Sequence, residues 1–157
     1  MNIKKLTALA LVALATVALS GCSLSRYVAS LDPYSPSDGT QLDIETFKAR
    51  NVLLIQGTSG NAILIGSFVN SGQSDISASI QTTDSNGEPV RISFEVPAGT
   101  KFDLGYSGNE GVVMPLNAVV GSMHPIFVAG SSDPQQLLVP VMDGSLLEYR
   151  EFAEKLN

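Results

Sequence analysis

From Asn51 onward the chain alternates short apolar runs with Gly, Asn, Asp and Pro residues that turn it, a rhythm that admits strands and excludes long helices. The clearest run is Val90, Ile92, Phe94 and Val96 interleaved with Arg91, Ser93 and Glu95. A period of two puts one face in a core and the other in water. Residues 52–56 and 62–69 flank Gly57-Thr58-Ser59-Gly60 and predict a hairpin, whose second arm ends at Asn70-Ser71-Gly72. Further runs lie at residues 76–82, 101–105, 111–116, 125–129 and 137–142, with Asp84-Ser85-Asn86-Gly87 and Pro97-Ala98-Gly99 as turns. In the last run Leu137, Val139 and Val141 share the inward face, and Pro140 must sit where its missing N–H interrupts no ladder. About eight strands so spaced, with no helical crossover between them, predict an all-β domain: a Greek-key two-sheet sandwich. The 14 Gly, 8 Pro and absent Trp agree with strands and loops.

The period changes near the C-terminus. Ser145 and Glu148 have the spacing of a capping box, and Leu146, Tyr149, Ala153 and Leu156, widened by Leu147 and Phe152, recur at helical spacing. A short amphipathic helix over residues 144–157, packed on the sandwich, is the expectation.

The N-terminus has a different character. Lys4 and Lys5 precede an apolar stretch at residues 6–19, and Leu19-Ser20-Gly21-Cys22 closes it. This is the pattern of a signal peptide ending in a lipobox, with small residues where a peptidase needs close backbone access. The apolar run has 14 residues, short of the roughly 20 that span a bilayer as an uncut anchor. Cys22 is the only Cys, so it has no internal disulfide partner in an oxidising compartment, and its expected use is lipid attachment. A diacylglycerol carries two chains and holds stably where a single acyl chain binds marginally. The expected organisation is therefore a signal peptide at 1–21, a lipid-anchored spacer at 22–40, the β-sandwich at 41–143 and the helix at 144–157. The spacer is rich in Ser, Asp and Pro, and its Tyr27, Val28, Leu31 and Tyr34 either dock on the domain or rest at the headgroup level.

Loss of residues 1–21 removes Lys4 and Lys5, leaving seven basic residues against the 15 acidic ones and a formal balance of −8. Such a surface suits neither nucleic acid nor anionic headgroups, so the membrane partner is reached through lipid rather than charge.

Chemistry-bearing residues are few. His124 is the single His, it precedes Pro125, and no Gly-rich nucleophile turn is present. No nucleotide loop or paired-carboxylate spacing appears, so enzymatic activity and cofactors are not expected. The soft donors are Met114, Met123, His124 and Met142, types that suit Cu(I), although only Met123 and His124 are neighbours. Methionines at such positions ordinarily fill gaps in a core.

The order of several short motifs resembles the PCu(A)C-type extracytoplasmic copper chaperones and small actinobacterial lipoproteins related to them, over roughly residues 51–143. The motifs are Ala62-Ile63-Leu64-Ile65-Gly66-Ser67-Phe68-Val69-Asn70, Asp75-Ile76-Ser77-Ala78-Ser79-Ile80, Val96-Pro97-Ala98-Gly99-Thr100, Gly121 before a strand, and Leu138-Val139-Pro140-Val141. The resemblance implies a cupredoxin-like or immunoglobulin-like sandwich. It also implies a copper site of two His and two Met, one pair supplied as His-x-Met. Here Val112-Val113-Met114 has Val where that His belongs, and residues 80–82 offer no His for the other pair. Only Met114 keeps a matching place, so metal binding is not expected. The functional expectation is a non-enzymatic binding or accessory module on the extracytoplasmic face of the cell membrane, with an envelope protein as a possible partner. The alternative is a Cu(I) metallochaperone with a non-standard Met/His site.

Overall fold

The structure is a computed structural model that describes residues 3–5, 7, 29–31 and 34–157. The chain divides into two units, Met1–Tyr34 and Ser35–Asn157. In the first, residues 3–5 and 7 are helical and Ala29–Leu31 forms a 3₁₀ turn. Cys22 and the expected spacer contacts of Tyr27 and Val28 lie outside the described residues. Among the described residues no helix is long and apolar enough to cross a membrane.

The second unit contains nine strands and one helix: β1 (Thr40–Ile44), β2 (Phe47–Gln56), β3 (Asn61–Asn70), β4 (Ile76–Thr83), β5 (Pro89–Val96), β6 (Lys101–Leu104), β7 (Val112–Pro115), β8 (Met123–Ala129), β9 (Gln135–Met142) and α1 (Leu147–Glu154). The strands run β5-β4-β8-β9-β2-β3-β6, with β1 added to β2 and β7 to β3. Pairing is antiparallel except where the end of β9 meets β2, Val141 beside Leu54 and Met142 beside Ile55. One layer is thus β1, β2, β3, β6 and β7. The other is β4, β5 and β8 with most of β9, which leaves it at its C-terminal end to join the first. The expected β-sandwich is present, as a nearly closed mixed sheet.

Two burial regimes explain which runs alternate and which do not. On β5 the residues alternate between exposed and half-buried up to Val96, because only one face is covered. On β2 and β3, Leu53, Leu54, Ile55, Ala62, Ile63, Leu64 and Ile65 are all buried. Leu54, Ala62 and Leu64 face the second layer in the main core, whereas Leu53, Ile55, Ile63 and Ile65 face α1. A strand buried on both faces reads as a continuous apolar run.

A bulge sets this phase. Arg50 pairs with Ser67 and Leu53 with Ile65, so Asn51 and Val52 together oppose Gly66. Asn51 adopts the left-handed conformation, at φ 49°, and its Oδ1 accepts the Gly39 N–H at 2.9 Å. The extra residue shifts the inward positions from Phe47 and Ala49 to Val52 and Leu54. A Cβ on Gly66 would stand 3.0 Å from Val52 Cγ2, so the bulged strand and its partner approach most closely at a glycine.

Four aromatic rings join the layers at one end of the core. Phe47 stacks on Phe68 at 6.0 Å, Phe68 meets Phe94 at 4.8 Å, and Phe94 stacks on Phe102 at 4.6 Å. Beside them Asn70 is fully buried, its Nδ2 donating to Ser74 O at 2.8 Å and Val96 O at 2.9 Å while its Oδ1 accepts from Gly72 N at 2.8 Å. An amide so satisfied fixes the end of β3 against β5.

Three expectations change in detail. The strand count is nine, because Thr40–Ile44 pairs with β2 and β2 itself begins at Phe47. Residues 35–40, placed in the spacer by composition, belong to the folded unit. The capping box does not form: the N-cap is Leu146, with no side-chain cap bond. Ser145 is instead drawn to Asp143, whose Oδ1 accepts both its N–H at 3.0 Å and its hydroxyl at 2.5 Å. The buried face of α1 is accordingly Tyr149 and Phe152, continued by Leu156, while Leu146 and Leu147 remain exposed.

Phe68→Ala should destabilise the domain by about 3–5 kcal/mol, against less than about 0.5 kcal/mol for Leu147→Ala on the exposed side of α1. Urea unfolding followed by circular dichroism measures both, and comparable losses would contradict this division between core and surface.

Candidate functional site

The β4–β8 ladder pairs Ser79 with Ala129, Ile80 with Val128 and Gln81 with Phe127, and is not continued past that pair. Beyond it lies Pro125, which has no N–H to donate, and a side chain replaces the ladder. Thr82 Oγ1 lies 3.1 Å from Pro125 O and 2.8 Å from His124 Nε2. The carbonyl can only accept, so the single Thr82 proton goes to it and the hydroxyl accepts Nε2–H. His124 is thereby assigned the Nε2–H tautomer, with the Nδ1 lone pair unprotonated. Burial pushes its pKa below the ordinary histidine value. A cavity of about 310 Å³ opens beside it, lined by Gln81, Thr83, Pro89 and Phe127 together with the His124–Thr82 pair.

A second, larger cleft of about 470 Å³ lies between the β6–β7 loop and α1, with Ile63, Tyr106 and Phe152 as apolar wall and Asn109, Glu110 and Lys155 at the rim. Tyr106 packs edge-on against Phe152 at 5.5 Å. The loop is tied down by Asp103, a buried carboxylate that contacts Lys101 Nζ at 2.6 Å and accepts Ser67 Oγ at 2.6 Å and Ser107 Oγ at 3.0 Å. The ammonium first, and then the hydroxyls, hold its carboxyl below the usual range. On the other side of α1, Tyr149 OH donates to Asp38 Oδ2 at 2.9 Å, and burial together with that carboxylate pushes the phenol upward. This bond fastens the start of the folded unit to the helix.

The soft donors are dispersed. Met114 on β7 is buried in the core between the layers. Met142 on β9 packs in the cluster beneath α1, on the opposite face of the β2–β3 layer. Met123 is half exposed at the start of β8, opposite Pro140. His124 follows it directly and so projects to the other side of the strand. No motif announces Thr82, Asp103 or Tyr106: Thr82 and Tyr106 acquire their roles from His124 and Phe152, distant in the chain, and Asp103 joins Ser67 of β3 to its local partners Lys101 and Ser107.

The His124 pair makes stability pH-dependent with a definite sign. Its folded pKa lies below the unfolded value of about 6.5, so below that value the unfolded chain binds the proton more readily. The contribution is complete above about pH 6.5 and is lost as pH falls from there through the folded pKa. Denaturant midpoints measured across this window should drop on acidification, and His124→Gln should flatten the slope. An unchanged slope in that variant would show that other groups carry it.

By sequence the chain matches no family profile and no curated protein. By fold it is similar to a solved structure described as the copper-bound PCuAC domain from PmoF2, at 13% identity and a TM-score of 0.51, covering 66% of this chain and 98% of that one. The apo PCuAC domain from PmoF1 aligns over the same shares, at 15% identity and a TM-score of 0.47. Over about two thirds of its length the chain thus shares the fold of the PCuAC domain.

Proposed function

We propose that this chain is a non-enzymatic accessory module of the cell envelope, held by lipid on Cys22 at the extracytoplasmic face of the membrane. The anchor reading is supported by the leader and its closing Leu19-Ser20-Gly21-Cys22. The observation that most favours a binding role over a catalytic one is the engagement of the single imidazole. His124 donates its Nε2–H to Thr82, whose own proton goes to Pro125 O, so the imidazole is not placed as a base toward that hydroxyl, and among the described residues no carboxylate lines its cavity.

The copper-bound description of the PmoF2 domain motivates a second reading, Cu(I) binding by this chain. The residues present do not fit that cargo. One thioether faces the inner core, another the cluster under α1, and the remaining thioether and imidazole leave opposite sides of β8. Soft-metal sites need converging donors. Under the accessory reading, titration of residues 23–157 with Cu(I) against a competing chelator leaves the metal with the chelator. Retention that disappears in Met123→Ala or His124→Ala would replace this reading with the copper one.

For the anchor, mass spectrometry of the native protein should find Cys22 as the first residue, thioether-linked to diacylglycerol, and Cys22→Ser should abolish lipid modification and processing. A bare thiol with residues 1–21 still attached would overturn the placement.

A further inference from the structure

The two outer faces of the sandwich are treated differently. On the β2–β3 layer the outward apolar row is closed by α1. On the β8–β9 pair the outward residues are Met123, Pro125 and Phe127 facing Pro140, Leu138 and the uncharged Gln136 in turn. Among the described residues no element covers them. Met123 is 49% exposed, Phe127 43% and Leu138 50%. The turn before β8 carries two more exposed apolar residues, Val119 and Val120, at 74% and 48%, and is fixed to β9 by Gly121 N–H donating to Val141 O at 2.8 Å.

We infer that this face is a weak self-association surface, occupied by the same face of a second copy of the chain. Charge selects that occupant. Residues 116–130 and 134–142 contain none of the 15 acidic and none of the nine basic residues. Two copies of an acidic chain repel wherever carboxylates meet, and here they approach without bringing like charges together. The missing Lys and Arg also deprive anionic lipid of the attraction that surface docking uses. A two-fold contact needs only a face complementary to itself, which an uncharged apolar sheet surface provides. The patch is on the order of 500 Å² per copy. Pairing two copies therefore buries roughly 1,000 Å², at the lower limit for a specific interface, and a weak association is the expectation, to be sought at roughly 10 µM to 1 mM. The inference does not depend on the lipid anchor.

Sedimentation velocity of residues 23–157, which retain both core clusters, over a concentration series spanning that range tests it. The wild-type chain should shift from monomer toward dimer. Leu138→Glu should weaken association at least about tenfold, two buried carboxylates then facing each other, while Ser93→Glu, the same charge change on exposed β5, should behave as wild type. Circular dichroism checks folding, and Phe127→Gln replaces Leu138→Glu if that variant fails to fold. A wild-type chain that stays monomeric throughout, or association weakened equally by both charge variants, overturns the inference. So does Leu138-dependent binding to vesicles of phosphatidylcholine and phosphatidylglycerol without self-association, which would give the face to lipid.

Discussion

The structure depends on burying both faces of the β2–β3 pair. One face meets the second layer through Leu54, Ala62, Leu64 and Phe68, and the other meets α1 through Leu53, Ile55, Ile63 and Ile65. At about 1.5–3 kcal/mol for each fully buried large apolar side chain, this pair carries a large share of the hydrophobic stabilisation. The rest is arranged around it. The bulge opposite Gly66 sets the phase of β2, β9 crosses from the second layer to lie beside Leu54 and Ile55, and α1 is anchored at both ends. At one end Tyr149 bonds to Asp38; at the other Ser59 Oγ donates to Leu156 O. Gly57 permits that second contact, since a Cβ there would lie 2.5 Å from Leu156 Cβ.

The same geometry decides where chemistry can occur. Alternation along a strand sends successive side chains to opposite faces, so Met123 and His124, adjacent in sequence, do not share a pocket-facing side. Met114 and Met142 are divided by the sheet that their own strands help to build. The PCuAC-like fold and the donor residues are therefore separate matters: a sandwich can keep its layers while its soft donors serve as packing or surface groups. His124 ends instead as the terminal clasp of the β4–β8 junction, where Pro125 leaves a gap in the backbone ladder that Thr82 bridges.

Much of the fold was legible because its strands carry period-two or continuous apolar runs bounded by turn residues. The β5 alternation and the inward row of Leu137, Val139 and Val141 appear as their patterns imply. Less legible was β1, whose Thr-Gln-Leu-Asp-Ile segment is short and only weakly patterned, and the first half of β2, where Asn51 reads as a turn residue but marks a bulge inside one strand. The capping box failed because Asp143 competes successfully for Ser145. Donor positions could be named from sequence, but their divergence depends on which face each strand residue takes, and the bulge and crossover that fix those faces are tertiary events.

If two-sided burial is the organising constraint, its amides should be the last to exchange. Native-state hydrogen exchange of residues 23–157 measures this most directly. The slowest set should fall within residues 52–55 and 62–65, exchanging only through global unfolding, with the half-covered β5 opening at lower free energy. Should the slowest amides instead cluster on β4 and β5 while residues 52–55 exchange through local opening, the helix-backed pair is not what holds this domain together.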